Sequence, residues 1–465
     1  MKYDIVIIGS GPAGYHAAII AAQNGLKIAI VESNDIGGTC ANWGCIPTKS
    51  LLHIAHQYQF IKNHAKKFGI NVEKTSISFS EVMQKSRDAA TRLSGGVKFL
   101  LSSYKEITVF QNSTATLKNS TAVIVKTNDK TQELDTKYVI IATGATPRSI
   151  PNITVDHQKI WNYKDALSAK TLPKNLLIVG SGAIGMEFAD IYSSLGTSVH
   201  IVENQKNILP SMDHTISQFM EKILTKKIKI YTNTNCDIDV NNMSVTLSSA
   251  SNKKTSISNI DNILIAIGVT PNISNLGLEN TKINTNTQGF IMTNSHCQTD
   301  EKNIYAIGDV RGNPCLAHKG NHEAHISIHH IMNHVTSSPS PLIPLCIYTN
   351  PQVASIGLTE EQAQEIHKDN IKIGISDASS NGKLTSIQES NGLIKLIIHK
   401  STGEILGCHM LGTSVTEIIQ SVNIFHNMEA TVHEIQNMIF AHPTESEMLY
   451  EAALSIDKKA INQIN

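Results

Sequence analysis

Residues 3–14 read YDIVIIGSGPAG, and this stretch decides the fold of the N-terminal part. It begins as an apolar run that is typical of a buried strand, and three glycines follow, Gly9, Gly11 and Gly14. A helical stretch comes next, and a second strand-like run ends at Glu32. The order strand, glycine-rich turn, helix, strand and acid predicts a unit that binds a dinucleotide.

The same pattern returns in residues 176–203. An apolar run leads into Gly180, Gly182 and Gly185, and a helix and a strand then end at Glu203. In both copies the acid lies 23 residues after the first glycine. In such a turn the first glycine allows the tight bend, the second lets a pyrophosphate approach, and the third lets helix and strand pack closely. The alternative, an unrelated structural glycine turn, fits two complete copies poorly.

Glu203 bears on the choice of nucleotide in the second unit. A carboxylate at that position accepts hydrogen bonds from a ribose diol and repels a 2′-phosphate. No arginine lies between Gly196 and Pro210, and Lys206 is the nearby cation. The sequence therefore favours NAD over NADP.

Three further apolar runs end near a glycine, and we expect them to be buried parallel strands that close the nucleotide-binding units. Residues 138–144 and 262–268 end at Gly144 and Gly268. Residues 304–309 end in Gly308 and Asp309. A carboxylate at Asp309 suits a hydroxyl of a flavin side chain, and the alternative is a helix N-cap.

Composition excludes several functional classes. Lys+Arg and Asp+Glu both number 39, so no excess charge indicates binding to nucleic acid or to an anionic membrane. We find no apolar run of bilayer length and no secretory signal before Tyr3, and we expect a cytoplasmic protein, with an organelle after processing as the alternative. The seven cysteines are an odd number and scattered, which argues against a secreted disulfide framework.

One close cysteine pair, Cys40 and Cys45, follows the first nucleotide motif. Five residues of regular helix rise about 7.5 Å, beyond the usual Cα separation of a disulfide. A bond between them therefore requires a distorted first turn, which Gly44 and Pro47 permit. Zinc binding requires further ligands at short spacing, and none follow the two cysteines. Two unrelated buried thiols are the remaining alternative. The position beside a cofactor motif favours a redox dithiol.

The stretch 37–50, GGTCANWGCIPTKS, resembles the active-site segment of the pyridine nucleotide-disulfide oxidoreductases. The resemblance extends along the whole chain, through both nucleotide units, the Gly308–Asp309 turn and the terminal stretch 441–447, AHPTESE. Within the family the chain is most similar to members that oxidise dihydrolipoyl groups, and this similarity is clear in residues 317–319 and 353–360.

The resemblance implies cofactors and residue roles. FAD would be held by residues of the first unit and of the strands that close it, namely Gly9, Gly11, Gly14, Glu32, Gly144, Gly308 and Asp309. NAD would be held by Gly180, Gly182, Gly185, Glu203 and Gly268. Cys45 would face the flavin and Cys40 would exchange with substrate, while Lys49 would stand near the flavin, paired with Glu187. A buried cation needs such a partner.

His442 and Glu447 match the acid–base pair of the family. A thiol attacks as the thiolate, so an imidazole that takes its proton speeds the exchange, and a carboxylate orients the imidazole. A structural histidine is the alternative. In the family this pair comes from the second subunit, so the resemblance implies a homodimer.

The predicted fold class is α/β, with two Rossmann-like dinucleotide-binding domains and a C-terminal α+β dimerisation domain. We expect an FAD-binding domain in 1–148, continued in the central region 272–344, an NAD-binding domain in 149–271, and the dimerisation domain in 345–465. The proline-rich segment 337–344 is the predicted linker before the last domain.

The predicted activity is oxidation of a protein-bound dihydrolipoyl group through the Cys40–Cys45 disulfide and FAD, with reduction of NAD. The partner would be the lipoyl carrier domain of a 2-oxo-acid dehydrogenase or glycine-cleavage complex. Alternatives are an enzyme like glutathione reductase or mercuric reductase, or a flavin-binding protein without turnover. Six histidines between 318 and 334 allow a metal site, but a packed or solvated helix is the simpler interpretation.

Overall fold

The computed structural model describes residues 2–128, 130–249, 254–334 and 342–464. Of the predicted linker, residues 337–341 lie outside the described part. Within the described residues the α-helices are α1 (Pro12–Gln23), α2 (Gly38–Trp43), α3 (Cys45–Gln59), α4 (Phe79–Ser102), α5 (Tyr163–Ala166), α6 (Ala183–Leu195), α7 (His214–Leu224), α8 (Ala317–Ile331), α9 (Glu360–His367), α10 (Gly382–Ser386), α11 (Val415–Asn427), α12 (Val432–Asn437) and α13 (Glu447–Ser455).

The strands of the first half are β1 (Lys2–Ile8), β2 (Ile28–Glu32), β3 (Ile107–Gln111), β4 (Ser113–Asn119), β5 (Ala122–Thr127), β6 (Lys130–Ile141), β7 (Ala145–Pro147), β8 (Ile160–Trp161), β9 (Asn175–Val179), β10 (Ser198–Val202) and β11 (Lys229–Tyr231). Those of the second half are β12 (Thr234–Asp239), β13 (Ser244–Ser249), β14 (Lys254–Ile257), β15 (Asn262–Ile265), β16 (Val269–Pro271), β17 (Ile304–Ala306), β18 (Leu345–Ile347), β19 (Gln352–Gly357), β20 (Ile371–Asp377), β21 (Leu393–His399) and β22 (Ile405–Gly412).

The first sheet has the strand order β3-β2-β1-β6-β5-β4, and β17 pairs with β6. β1 runs parallel to both β2 and β6, and β17 runs parallel to β6. The predicted closing strands 138–141 and 304–306 therefore lie side by side in this sheet. β6 extends further than predicted, because its N-terminal half pairs antiparallel with β5.

The second sheet has the order β11-β10-β9-β15-β8, and the pairs in it are parallel. It repeats the arrangement around β1, with β9 between β10 and the closing strand β15. The two units are joined by the antiparallel pair β7 and β16, which directly follow the two closing strands. The sequence predicted both parallel units; the domain boundaries remain a prediction.

The C-terminal part is a five-stranded sheet in the order β18-β19-β22-β21-β20, with antiparallel pairs. α11 packs on β19 and β22, and α13 packs on β20 and β21. Alternate residues of the central strands, such as Ile394, Leu396 and Met410, are buried against these helices. The antiparallel sheet covered by helices agrees with the predicted α+β character.

Candidate active site

Gly44 separates the two cysteines. Cys40 lies in α2, and Cys45 is the first residue of α3. A Cβ at Gly44 would lie 3.1 Å from the Thr39 carbonyl oxygen and 3.4 Å from the Cys40 Cα, so the chain is close-packed at the break. The predicted distortion takes the form of a break between two helices, which brings the two cysteine side chains together.

The two sulfurs are free thiols that share a hydrogen bond. The hydrogen bond from Cys40 lowers the pKa of Cys45; burial acts in the opposite direction, and the charge of Lys49 lowers it further. The same hydrogen bond, together with burial, raises the pKa of Cys40. The arrangement therefore favours a thiolate on Cys45 and a protonated thiol on Cys40.

The predicted pair of Lys49 and Glu187 is present. Lys49 Nζ lies 2.9 Å from Glu187 Oε1 and 3.0 Å from Oε2. Glu187 is buried on α6, and its Oε1 also accepts a hydrogen bond of 3.0 Å from the Tyr348 backbone N–H. The Tyr348 ring lies under the ammonium group, 4.5 Å from Nζ to the ring centroid. Elements distant in the sequence thus hold one cation beside Cys45.

The glycines of the two nucleotide loops play matching parts. A Cβ at Gly9 would lie 2.3 Å from the Ala142 carbonyl oxygen, and one at Gly14 would lie 2.0 Å from the Gly9 carbonyl oxygen. Gly9 also has a φ of +102°, which disfavours a side chain. At Gly11 no atom lies within 4 Å of the Cβ position. The middle glycine therefore faces open space at the start of α1, where a phosphate can approach.

The second loop repeats this geometry. Cβ atoms at Gly180 and Gly185 would lie 2.5 Å and 2.0 Å from backbone oxygens, whereas the position at Gly182 faces open space. The two acids also match in detail. Glu203 Oε2 accepts hydrogen bonds from the Ser181 N–H at 2.9 Å and from its hydroxyl at 2.7 Å.

Glu32 makes the same two bonds to Ser10, also at 2.9 Å and 2.7 Å. In each copy the second carboxylate oxygen accepts one backbone N–H, from Asn34 or from Gln205. Both acids are thereby fixed at the ends of their strands, beside the glycine loops. That is the position from which a carboxylate reaches a ribose diol.

Asp309 lies in a short 3₁₀ turn after β17, and not at an N-cap. Burial raises the pKa of its carboxyl group, and within the described residues no protein group donates a hydrogen bond to that carboxylate. Glu323 on α8 secures the turn, since its carboxylate accepts from the Gly308 N–H at 2.6 Å and pairs with Arg311 at 2.5 Å. A half-buried acid without a protein donor fits a ligand hydroxyl.

Gly144 and Gly268 occupy equivalent places after the closing strands β6 and β15. Their φ angles are +69° and +104°, and the Cβ position of each faces open space. The two connections bind each other, because Thr143 Oγ1 donates to the Asn272 carbonyl oxygen at 2.7 Å. Both glycines thus lie where the nucleotide-binding units join.

His442 and Glu447 form the predicted pair. His442 Nδ1 lies 2.9 Å from Glu447 Oε1, and Glu447 Oε2 accepts a hydrogen bond of 2.9 Å from the Thr444 N–H. Burial would raise the pKa of Glu447, but these two bonds lower it. The imidazole is exposed, with 75% of its side-chain surface accessible in the single chain. The ring is therefore accessible to a molecule outside this chain.

Several contributors were not singled out from the sequence. A Cβ at Gly38 would lie 2.6 Å from the Gly11 Cα, so this glycine lets α2 approach the phosphate-binding loop. The Asp190 carboxylate and the Tyr348 backbone N–H join α3 and α6 to the connection 348–351. The glycine pair 37–38, which Thr39 separates from Cys40, was a signal in the sequence, whereas no sequence pattern links positions 190 and 348.

The histidine-rich segment forms α8, and His334 lies beyond its end. His330 stacks on His296 with ring centroids 4.5 Å apart, and its Nδ1 lies 2.8 Å from the Tyr305 hydroxyl. Among the described residues, no cluster of three or more potential ligands has a geometry suited to a metal ion. His325 and His329 contact each other along the helix, and the His329 ring also contacts His334.

The chain belongs to the pyridine nucleotide-disulphide oxidoreductase family. The family model matches residues 3–324, and the model of the family's dimerisation domain matches residues 343–453. The chain is therefore an oxidoreductase with an α/β fold, and the second match supports a homodimer. No helix in the described part of the chain has the length and apolar character needed to cross a bilayer.

Similar proteins match the chain along its full length. A dihydrolipoyl dehydrogenase of Rhizobium etli is 40% identical and one of Zymomonas mobilis is 39% identical, each covering 99% of both chains. The Cu(II) complex of the HOCl-induced flavoprotein disulfide reductase RclA from Escherichia coli superposes with a TM-score of 0.86, at 26% identity, covering 98% of this chain and 100% of that one. LpdA from Mycobacterium tuberculosis gives 0.88 at 24% identity, covering 97% and 99%, and supports the fold.

Proposed function

We propose that this protein is an FAD-dependent dihydrolipoyl dehydrogenase, which oxidises protein-bound dihydrolipoamide to lipoamide and reduces NAD to NADH. The observation that carries the proposal is the cysteine pair itself. Cys40 and Cys45 share a hydrogen bond beside the Lys49–Glu187 ion pair, directly after a dinucleotide-binding loop. Full-length relatives named dihydrolipoyl dehydrogenase support the choice of substrate.

The residues of the first unit fit FAD. Open space at Gly11 and the free backbone N–H groups at the start of α1 suit the pyrophosphate. Glu32 is held in position for a ribose, and Asp309 offers a carboxylate to which no group of the described residues donates a hydrogen bond. Gly144 and Gly308 border the same space. When bound, FAD accepts an electron pair from the dithiol and delivers it as a hydride to NAD.

The second unit fits NAD in the same way. Gly182 faces open space at the start of α6, and the pair Gly180 and Gly185 keeps the loop tight against the strand. The fixed Glu203 carboxylate accepts hydrogen bonds from a ribose diol and repels a 2′-phosphate. Gly268 lies at the junction between the two units, where its Cβ position faces open space.

The thiol chemistry needs one base and two distinct sulfurs. In the oxidised enzyme we place a disulfide between Cys40 and Cys45. His442 takes the proton of one substrate thiol, and the resulting thiolate attacks Cys40 Sγ. A bond forms between these two sulfurs, the Cys40–Cys45 bond breaks, and Cys45 leaves as a thiolate. The ammonium group of Lys49 lowers the pKa of Cys45 and so favours that leaving group.

The second substrate thiol releases its proton to solvent, and the resulting thiolate attacks the substrate sulfur that is bound to Cys40. The substrate closes as a cyclic disulfide, and Cys40 leaves with a proton returned from His442. Glu447 holds Nδ1 of the imidazole, so Nε2 is the nitrogen that takes and returns protons. The protein thus ends with a Cys40 thiol and a Cys45 thiolate, the state that the pKa shifts favour.

The base and the dithiol belong to different subunits in this proposal. His442 is exposed in the single chain, and the match to a dimerisation domain covers its position. We place His442 of the partner subunit against Cys40, so one chain alone lacks a complete site. The carrier of the substrate would be a lipoyl domain of a 2-oxo-acid dehydrogenase or glycine-cleavage complex. We assign the protein to the cytoplasm, because its seven cysteines are odd in number and scattered, unlike those of a secreted disulfide framework.

Steady-state rates test the proposal. We expect turnover with dihydrolipoamide and NAD, and little turnover with NADP or with glutathione. Rapid turnover with glutathione and NADP, or no turnover with any dithiol, would contradict it. The rate with dihydrolipoamide and NAD, compared with the rate with glutathione and NADP, also distinguishes this enzyme from a glutathione reductase. Turnover with dihydrolipoamide distinguishes it from a flavin-binding protein without activity.

Anaerobic titration with NADH tests the roles of the two cysteines. We expect partial bleaching of the flavin and a new long-wavelength absorbance from the thiolate beside it. Cys45→Ser should abolish this absorbance, whereas Cys40→Ser should keep it without any dithiol turnover. If the band survives in Cys45→Ser, the assignment of the two sulfurs is wrong.

A further inference from the structure

Thr444 links the pair of His442 and Glu447 to the rest of the chain. Its N–H donates to Glu447 Oε2 at 2.9 Å, and its hydroxyl donates to the Ala441 carbonyl oxygen at 2.7 Å. The carboxylate of Glu447 in turn bonds His442 Nδ1. The orientation of the imidazole therefore depends on where Thr444 is held.

Asn381 holds Thr444 from the opposite side. Its Nδ2 donates to the Thr444 carbonyl oxygen at 3.0 Å, although the two residues are 63 positions apart. The side chain is buried, with 5% of its surface exposed. Its Oδ1 is engaged as well, because it caps α10 by accepting the Leu384 N–H at 3.0 Å. Both ends of one buried amide are thus fixed.

The start of α10 also lies beside the imidazole. A Cβ at Gly382, the residue after Asn381, would lie 4.0 Å from His442 Cε1, which is van der Waals distance. A shift of Asn381 therefore reaches His442 by two routes, through the hydrogen bonds of Thr444 and through the backbone at Gly382. An exposed imidazole has few other restraints within its own chain.

We propose that Asn381 is a positioning residue for the acid–base function of His442. The amide fixes the Thr444 carbonyl group, Thr444 fixes Glu447, and Glu447 fixes the imidazole at Nδ1. Asn381 touches neither the substrate nor the sulfurs. The inference rests on the proposed function, because it assumes that His442 takes the proton of the dithiol substrate.

The test separates two half-reactions of the holoenzyme by anaerobic stopped flow. Reduction by dihydrolipoamide needs the base, and reduction by NADH does not. Asn381→Ser keeps a capping oxygen but cannot reach Thr444. We expect it to slow the dihydrolipoamide step about tenfold, a part of the usual general-base contribution. The NADH step should change less than twofold.

A second variant guards against a folding defect. Asn381→Asp has the same shape and keeps the cap, but it places an oxygen against the Thr444 carbonyl oxygen, so the loss should be at least as large. The matched control is Asn280→Ser, which removes a similar bond of 2.8 Å from Nδ2 to the Leu117 carbonyl oxygen. We expect both half-reactions of the control to be normal.

The inference is overturned if the dihydrolipoamide step is unchanged in both Asn381 variants, if both half-reactions slow equally, or if the control slows the dihydrolipoamide step as much. His442→Gln separates this failure from failure of the proposed function. If His442→Gln leaves the dihydrolipoamide step unchanged, the acid–base role itself is wrong. If it slows that step while the Asn381 variants do not, only the positioning role fails.

Discussion

At Cys45, the charge of one sulfur depends on three neighbours. The Cys40 thiol donates a hydrogen bond to it, Lys49 contributes a positive charge, and Glu187 opposes that charge while holding the lysine. The cation therefore cannot be considered apart from its carboxylate. The Tyr348 ring under the ammonium group adds a further attraction.

Replacement of the lysine should raise the pKa of Cys45. In Lys49→Met the favourable charge is lost while the Glu187 carboxylate remains, so the thiolate should form at higher pH. The pH dependence of thiolate absorbance in the reduced protein measures this. Lys105→Met is the control, since Lys105 is 93% exposed and pairs weakly with its neighbour. An unchanged pKa in Lys49→Met would mean that Cys40 alone stabilises the thiolate.

Glu203 should determine nucleotide preference. In Glu203→Gln the negative charge is lost, and an amide NH2 group replaces one of the two oxygens, of which Oε2 accepts the Ser181 N–H and Oε1 accepts the Gln205 N–H. We expect the KM for NAD to rise about tenfold, by loss of hydrogen bonds to a charged group, and the preference over NADP to shrink. Steady-state kinetics with both nucleotides provide the measurement. Glu279→Gln, an exposed acid, should leave both values unchanged.

At the level of elements, α6 is the helix on which the parts of the chain meet. Its Glu187 binds Lys49 of α3 and the Tyr348 N–H. One turn later, Asp190 binds His56 of α3 at 2.7 Å and the Asn350 N–H at 2.8 Å. α6, which starts at the second nucleotide loop, thus fixes both α3 and residues 348–351, which connect β18 to β19.

Asp190→Asn should destabilise the protein by about 2 kcal/mol at neutral pH, because the buried carboxylate loses its charge-assisted hydrogen bonds to the part-buried His56 and to Lys227. Burial raises the pKa of Asp190, but the bonds and charges of His56 and Lys227 lower it overall. A carboxyl group with a lowered pKa stabilises the fold above its unfolded pKa of 3.8 and loses this contribution as the pH falls through the folded value.

Thermal unfolding between pH 3 and pH 7 measures this effect. The difference in melting temperature between the wild type and Asp190→Asn should be largest near neutrality and shrink below about pH 4. Asp88→Asn on the exposed face of α4 is the control and should have no such pH dependence. A constant difference across the range would show that packing, and not charge, accounts for the loss.

At the level of the whole molecule, a buried lysine connects the second nucleotide unit to the C-terminal sheet. Lys395 of β21 lies 2.8 Å from Asp213 Oδ1, at the start of α7, and 2.6 Å from Glu360 Oε2. Lys395 is 1% exposed and Asp213 is fully buried. Removal of the ammonium group leaves two carboxylates facing each other.

Lys395→Met should lower the free energy of unfolding by about 3 kcal/mol, because it leaves an uncompensated buried charge on Asp213. Adding Asp213→Leu should restore part of that loss, because an apolar pair carries no buried charge. Thermal unfolding of Lys395→Met, Asp213→Leu and the double variant forms the cycle. Lys372→Met, which removes a half-exposed pair with Asp457, is the control and should cost much less. Additive losses in the double variant would contradict the coupling.

The sequence by itself determined the two nucleotide loops and the dithiol segment. These depend on local backbone physics, since glycines that must avoid a Cβ clash and the acid that ends a strand occupy fixed spacings within about 30 residues. Family resemblance added the Lys49–Glu187 pair and the roles of His442 and Glu447. The extra length of β6 was missed, because pairing with the neighbouring strand β5 decides it.

Only the tertiary structure decided which distant groups meet. Asp190 joins α3 to residue 350, Lys395 reaches Asp213 across 182 positions, and Asn381 supports Thr444. Single polar residues of these kinds occur throughout any chain and have no periodicity, so nothing in their local sequence distinguishes them. Their partners are set by how sheets and helices pack, and burial then turns an ordinary side chain into a fixed contact.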